Sequence, residues 1–353
     1  MDSSVEKRTR TPFRELIRIH YSSTPWHLPV FQAMCLGLPL WIGIATGRFH
    51  DGLIAAMTAL MVLYYPEETT TAKRMLVMLL CGFGVICSYT VGLLFNFHWL
   101  IACSAFGIFS FAIHWVVNYY KLHNPRSLVF ILAASIAFCA PTTPNQIPHE
   151  VGIIAMGTMT TCILSFIYSL ISTPPGINAT EIDVAVDKTF NLYESIIVGI
   201  AMFICLWIGL WFKLENPYWI PISCMTIMQG VSFSHVMERT AHRIIGTLVG
   251  LVVAWGLALW VRTPVSITLT LMILQFGMGT LLSRNYGLAV IFITPLTILL
   301  NEFSPSEVDL SMSTLIARGL DIAIGCLVGV VGGWLLYRFA PPIAAPSRKR
   351  HGL

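Results

Sequence analysis

Two side chains of opposite charge, Arg318 and Asp321, stand three residues apart inside an apolar run near the end of the chain. At that spacing on a helix they share a face and can pair. An ionisable residue at membrane depth is costly to bury and is a functional candidate by default. Two readings stay open: a structural ion pair that fixes helix packing, or an anion contact at Arg318 with Asp321 as proton carrier. A second group, Glu238, Arg239, His242 and Arg243, opens another apolar run, with Arg239 and Arg243 four residues apart on one face. It is either a solvated flank or an electropositive funnel for an anionic solute. Guanidinium matches a carboxylate bidentately, so Arg239, Arg243 and Arg318 are the expected substrate-binding cations. Glu194, early in a third apolar run, is the other expected proton-coupling residue. A lone His114 reads as a hydrogen-bonded helix residue rather than a ligand.

Composition says what must position these groups. Of the 353 residues 56% are apolar and 11% charged, and the mean hydropathy is +0.75. Soluble domains carry about 25% charged residues, so too few charges are available to cover a water-exposed surface. A disordered chain, a disulfide scaffold and a nucleic-acid binder are excluded. An all-α polytopic protein of the lipid bilayer remains. All nine cysteines fall inside apolar runs without metal-ligand or redox spacing, and they read as small buried side chains. No P-loop, zincin or nucleophile-elbow pattern occurs, so no cofactor, metal site or enzyme activity is expected. The first 28 residues are polar and basic, which argues against a cleavable signal peptide.

A membrane span takes roughly 20 apolar residues, fewer where a helix is broken or shielded. About twelve segments qualify: 29–47, 52–66, 74–95, 99–117, 127–140 and 151–172, then 191–213, 217–230, 240–261, 264–282, 285–300 and 311–338. The expected organisation is a cytoplasmic N-terminal segment (1–28), a six-helix repeat (29–172), a cytoplasmic linker (173–189), a second six-helix repeat (190–340) and a basic tail (341–353). With the N-terminus inside, 17 lysines and arginines fall on the inner side and only Arg48, Lys213 and Arg262 outside. That bias predicts both termini in the cytoplasm. Residues 11–21 and 179–190 read as interfacial amphipathic helices.

Six spans per half make the halves parallel repeats about an axis along the membrane normal. Met57-Thr58 and Met225-Thr226 lie 168 residues apart, and Lys73-Arg74 and His242-Arg243 nearly so. The second and fifth spans of each half are short, and Pro66, Pro141, Pro217, Pro221 and Pro295 end or interrupt them. Matching broken segments point to a transporter's substrate site, or else are packed helices in a thick bundle. Their polar and aromatic residues include Tyr218, Trp219, Thr226, Gln229 and Thr294, with Tyr286 beside them. Gly246/Gly250 and Gly325/Gly329/Gly333 have the spacing that lets helices approach closely. Seven tryptophans near span ends, Trp219 among them, suggest an aromatic belt.

The second half resembles the fusaric acid resistance family of bacterial membrane proteins, which includes aromatic acid exporters. The resemblance rests on Asn216-Pro217-Tyr218-Trp219, Arg239, the run Arg243 to Gly250 (R-x-x-G-T-x-x-G), Arg284-Asn285-Tyr286, Thr294-Pro295 and Arg318-Gly319-Leu320-Asp321 with Gly325. It implies proton-driven export of aromatic carboxylic acids across the bacterial inner membrane. More distantly, the chain is similar to plant aluminium-activated malate transporters, anion channels built as dimers of six-span subunits. A homodimer and a periplasmic adaptor are both left open, as are a passive anion channel and a non-transporting envelope scaffold. The first half departs from the pattern: it lacks R-x-x-G-T-x-x-G and keeps only Lys73-Arg74 and Gly82.

Overall fold

The computed structural model describes residues 25–67, 69–122, 125–172, 188–230, 232–301 and 312–339. The expected amphipathic helix at 11–21, most of that at 179–190, the bulk of the linker and the basic tail lie outside the described residues. Among the described residues the chain is helical and contains no strand. The first six α-helices among the described residues are α1 (His27–Ala45), α2 (Phe49–Ala56), α3 (Thr71–Phe95), α4 (Trp99–Tyr119), α5 (Leu128–Cys139) and α6 (Ile147–Ser172). Then come α7 (Lys188–Trp211), α8 (Trp219–Met228), α9 (Phe233–Ala258), α10 (Pro264–Leu282), α11 (Tyr286–Asn301) and α12 (Met312–Phe339). α2 runs straight on into a 3-10 segment, Met57–Tyr64.

Eight of these helices, α1, α3, α4, α6, α7, α9, α10 and α12, are long and apolar enough to cross a membrane. The other four, α2 with its 3-10 continuation, α5, α8 and α11, are shorter apolar helices. At ~1.5 Å per residue, the ten residues of α8 reach about 15 Å, half of a hydrocarbon core. Of the twelve expected segments, eight are therefore long enough to cross and four are short, the second and fifth of each half. Proline is the local reason, since it lacks the N–H and clashes with the preceding turn. Pro66 and Pro141 follow the 3-10 segment and α5, Pro217 and Pro221 bracket the start of α8, and Pro295 lies inside α11.

The packing recurs along the chain. α3 packs on α5 and α6, and α9 on α11 and α12; α2 packs on α1 and α6, and α8 on α7 and α12. Between the two sets of six, α4 lies on α7 and α10 on α1, while α5 touches α8 and α11 touches α2. Glycines set the closest approaches. A Cβ at Gly157 would lie 2.5 Å from the Ala55 carbonyl, and one at Gly325 would lie 2.4 Å from the Ile220 carbonyl. Gly157 and Gly325 are 168 residues apart, as are Thr58, which touches Gly157, and Thr226. Arg74 and His242 are also 168 residues apart, but the Lys73-Arg74 and His242-Arg243 pairs sit at different depths in their helices. Arg74 sits in the first turn of α3, whereas Arg243 lies almost three turns into α9.

α8 is the most enclosed element, with every residue buried. Long helices such as α6 keep outward apolar stripes, for instance Met156, Met159 and Ile163, as a lipid-facing surface would. The nine cysteines are all unpaired, six of them buried. Trp26, Trp99, Trp115, Trp211, Trp260 and Trp334 are exposed, but Trp219 is 1% exposed and belongs to the interior, not to a belt.

Candidate functional site: a row of arginines along a short helix

α8 is short because prolines flank its start, and it lies wholly inside the bundle, packed on α5, α7, α9 and α12. Gly325 meets Ile220 and Ser223, and Gly329 meets Cys224 and Ile227, so α12 runs parallel to α8 in close contact. That approach brings Arg318 to the start of α8. Its guanidinium lies over the Trp219 ring, 3.1 Å from the centroid, and its Nη2 donates to Thr297 Oγ1 of α11 at 2.9 Å. A cation held over an indole away from water is attracted by roughly 2 kcal/mol.

The other two expected cations come from α9. Arg243 is 5% exposed. Its Nη2 donates to Ser223 Oγ at 3.4 Å, and its Nε has no hydrogen-bond partner among the described residues. Arg239 donates from Nη1 to the Thr226 carbonyl at 2.8 Å and stands over the Tyr286 ring at 5.0 Å. The three guanidinium groups thus meet α8 at three heights: Thr226, Ser223 and Trp219. Seven residues of helix separate the first from the last, about 10 Å. Tyr286 Oη and Thr247 Oγ1 are also buried without a hydrogen-bond partner among the described residues. Unsatisfied buried donors and an uncompensated cation are costly unless something fills the need.

The remaining expected residues divide. Asp321 is fully buried one turn before Gly325, which puts it level with the first residues of α8. Tyr218 caps α8, its ring 5.1 Å from that of Trp219, and its carbonyl accepts from Ser135 of α5 at 3.0 Å. Thr226 and Thr294 spend their hydroxyls on carbonyls of their own helices, Ile222 and Val290, and Thr294 packs on Gly250. Gln229 is apart from the guanidinium groups: at the end of α8 its Nε2 donates to the Pro125 carbonyl at 2.7 Å. Glu194 is also apart. Its Oε1 lies 3.0 Å from Arg126 Nη1 and 3.6 Å from His114 Nε2, and Asn118 donates to its Oε2 at 3.2 Å.

Sequence reasoning left Ser223, Arg126 and Asn118 out of the site. Ser223 had a signal, being one turn from Thr226 on a broken helix; Arg126 had counted only as an inner-loop charge. The chemistry also differs between the two sets of six helices. The residues 168 positions before Trp219 and Arg318 are Asp51 and Glu150. Glu150 accepts hydrogen bonds from Tyr89 at 2.9 Å and Thr142 at 3.0 Å. An acid therefore stands where the second set has its stacked cation.

Fold and site together define a multi-pass, all-helical membrane protein with buried arginines along a short internal helix. Residues 200–332, which contain α8 to α11 and all three arginines, match the family described as fusaric acid resistance protein-like. That segment is what the chain shares with the family. The uncharacterized membrane protein YvaC of Bacillus subtilis (strain 168) is 30% identical over 151 residues, 43% of this chain and 24% of YvaC. The uncharacterized protein YhfK of Escherichia coli (strain K12) is 30% identical over 124 residues, 35% of this chain and 17% of YhfK. The chain thus spans a quarter or less of the curated relatives it matches. No solved structure matches it.

Proposed function

We propose that the protein carries small organic anions, foremost aromatic carboxylates, out of the cytoplasm across the bacterial inner membrane, with both termini inside. The observation that carries this reading is Arg243: a buried guanidinium with one long hydrogen bond and no carboxylate partner among the described residues. A carboxylate would supply the missing charge and acceptors, in the charge-assisted geometry guanidinium favours. Arg239 and Arg318 extend the attraction towards either end of α8, and Trp219, Tyr218 and Tyr286 offer rings to an aromatic solute. Asp321, a turn from Arg318, is the carboxylate that exchanges a proton as the anion leaves. Glu194 handles protons at the inner end. The paired packing of the helices supports two six-helix repeats, with the four short helices around the axis between them.

Three cations spaced along one helix also suit a passive channel, in which an ion steps between several weak sites. Proteoliposomes loaded with radiolabelled benzoate separate the readings, with a pH gradient and a voltage imposed one at a time. Efflux that follows the pH gradient and is lost in Asp321→Asn is the expected result. Efflux that follows voltage alone makes the protein a channel, and no efflux under either condition rejects transport of this solute class.

A further inference from the structure

Two adjacent residues in the turn between α4 and α5 receive three tethers from three different parts of the chain. The Pro125 carbonyl accepts from Gln229 at the end of α8 at 2.7 Å. The Arg126 carbonyl accepts from Tyr64 Oη, at the end of the 3-10 segment. The Arg126 side chain pairs with Glu194 of α7 at 3.0 Å. The tethers thus come from the end of one short helix in each set of six, and from the helix that starts the second set. The end of α8 is held a second time by Tyr337 Oη of α12, which donates to the Gly230 carbonyl.

The turn is also strained. Arg126 has φ +48° and Lys121 φ +53°, both in the left-handed region without being glycine. A side chain is crowded against its own backbone there. Strain of this kind persists only where surrounding contacts impose it, and it concentrates at switch regions. At Arg126 the imposing contacts are the three tethers. The turn is held at Gln229, three residues past Thr226, whose carbonyl Arg239 contacts, so an anion from that side would reach Arg239 first in the row.

We propose that Pro125–Arg126 is a clasp that closes this end of the path, and that protonation of Glu194 opens it. The proton comes from the aqueous side, where the Arg126 side chain is 38% exposed, and binds a Glu194 carboxylate oxygen. The Arg126 ion pair then loses its charge, and the strained turn relaxes away from α8. The groups facing Glu194 are His114 and Asn118 of α4, Arg126 of the turn and Tyr337 of α12. His114 Nδ1 is engaged with Ser127 Oγ at 2.7 Å. α8 presents no titratable side chain at this end. The clasp rests on the reading of the α8 arginines as a path, but its test does not need flux.

Ser127, fully buried beside the clasp, is replaced by cysteine in the full-length chain, and its labelling by a charged maleimide is timed at fixed pH. Glu194→Gln keeps the size of the side chain and removes its charge; Gln229→Leu removes the α8 tether and touches no charge. Each is expected to speed labelling about tenfold, as loss of an interaction worth ~1.4 kcal/mol would. Unchanged labelling in both variants overturns the clasp. Faster labelling in Gln229→Leu alone keeps the clasp and removes the proton trigger. Faster labelling in both, with no benzoate flux in the parent protein, upholds the moving turn and rejects the anion path it was inferred to close.

Discussion

Replacing Arg243 with methionine is expected to leave the protein as stable as before, or more so, while benzoate transport falls steeply. The two halves of this prediction share one cause. A guanidinium 5% exposed, with a single 3.4 Å bond to Ser223 Oγ, is a desolvated charge that the described residues do not neutralise. Exchanging a buried ion for an apolar side chain of similar length is often neutral or stabilising by about 1–4 kcal/mol. Methionine fits such irregular gaps readily. The same exchange removes the group that would hold the substrate's carboxylate. A charge-assisted hydrogen bond contributes about 1.5–3 kcal/mol, so half-saturation should shift roughly 10- to 150-fold. Thermal unfolding in detergent and proteoliposome flux read the two effects separately. A variant that unfolds earlier yet transports normally would make Arg243 a structural residue.

The second large effect is expected at Gly325. A Cβ there would stand 2.4 Å from the Ile220 carbonyl and 2.8 Å from Ser223 Cβ. The first of these is backbone, held inside α8, so it cannot yield as a flexible side chain would. Gly325→Val must push α12 off α8. Overpacking costs typically about 1–3 kcal/mol, and here it also separates Arg318 from Trp219. Both folded yield and anion affinity should drop. Gly319→Ala, on the same helix, is the control: nothing lies within 4 Å of a Cβ at that position, so neither property should move. Equal behaviour of the two variants would mean that the α8–α12 contact does not set the site.

Much of the architecture is legible in hydropathy and proline placement. The four short helices fall where Pro66, Pro141, Pro217, Pro221 and Pro295 predict interruption, because a missing N–H has only local consequences. How much of the membrane each helix crosses is not local. α8 has ten residues, and only its neighbours let it sit buried without spanning. Arg318 and Trp219 were separately legible as a buried charge and an aromatic at a broken helix. Their stacking was not, because the two are 99 residues apart in sequence and meet only because Gly325 lets α12 close onto Ile220 and Ser223 of α8. Glu194 shows the reverse. Its sequence position left a proton carrier or an acid exposed at the inner interface, and the partner that occupies it, Arg126, is 68 residues away in a turn that reads from sequence only as a loop charge.

The central claim is that the α8 arginines bind an organic anion, and equilibrium binding of radiolabelled benzoate to the purified full-length chain tests it most directly. The expected result is saturable binding by the parent protein, weakened at least tenfold in Arg243→Met while the variant's unfolding temperature holds or rises. Equal affinity in the two proteins, or no saturable binding in either, would contradict it.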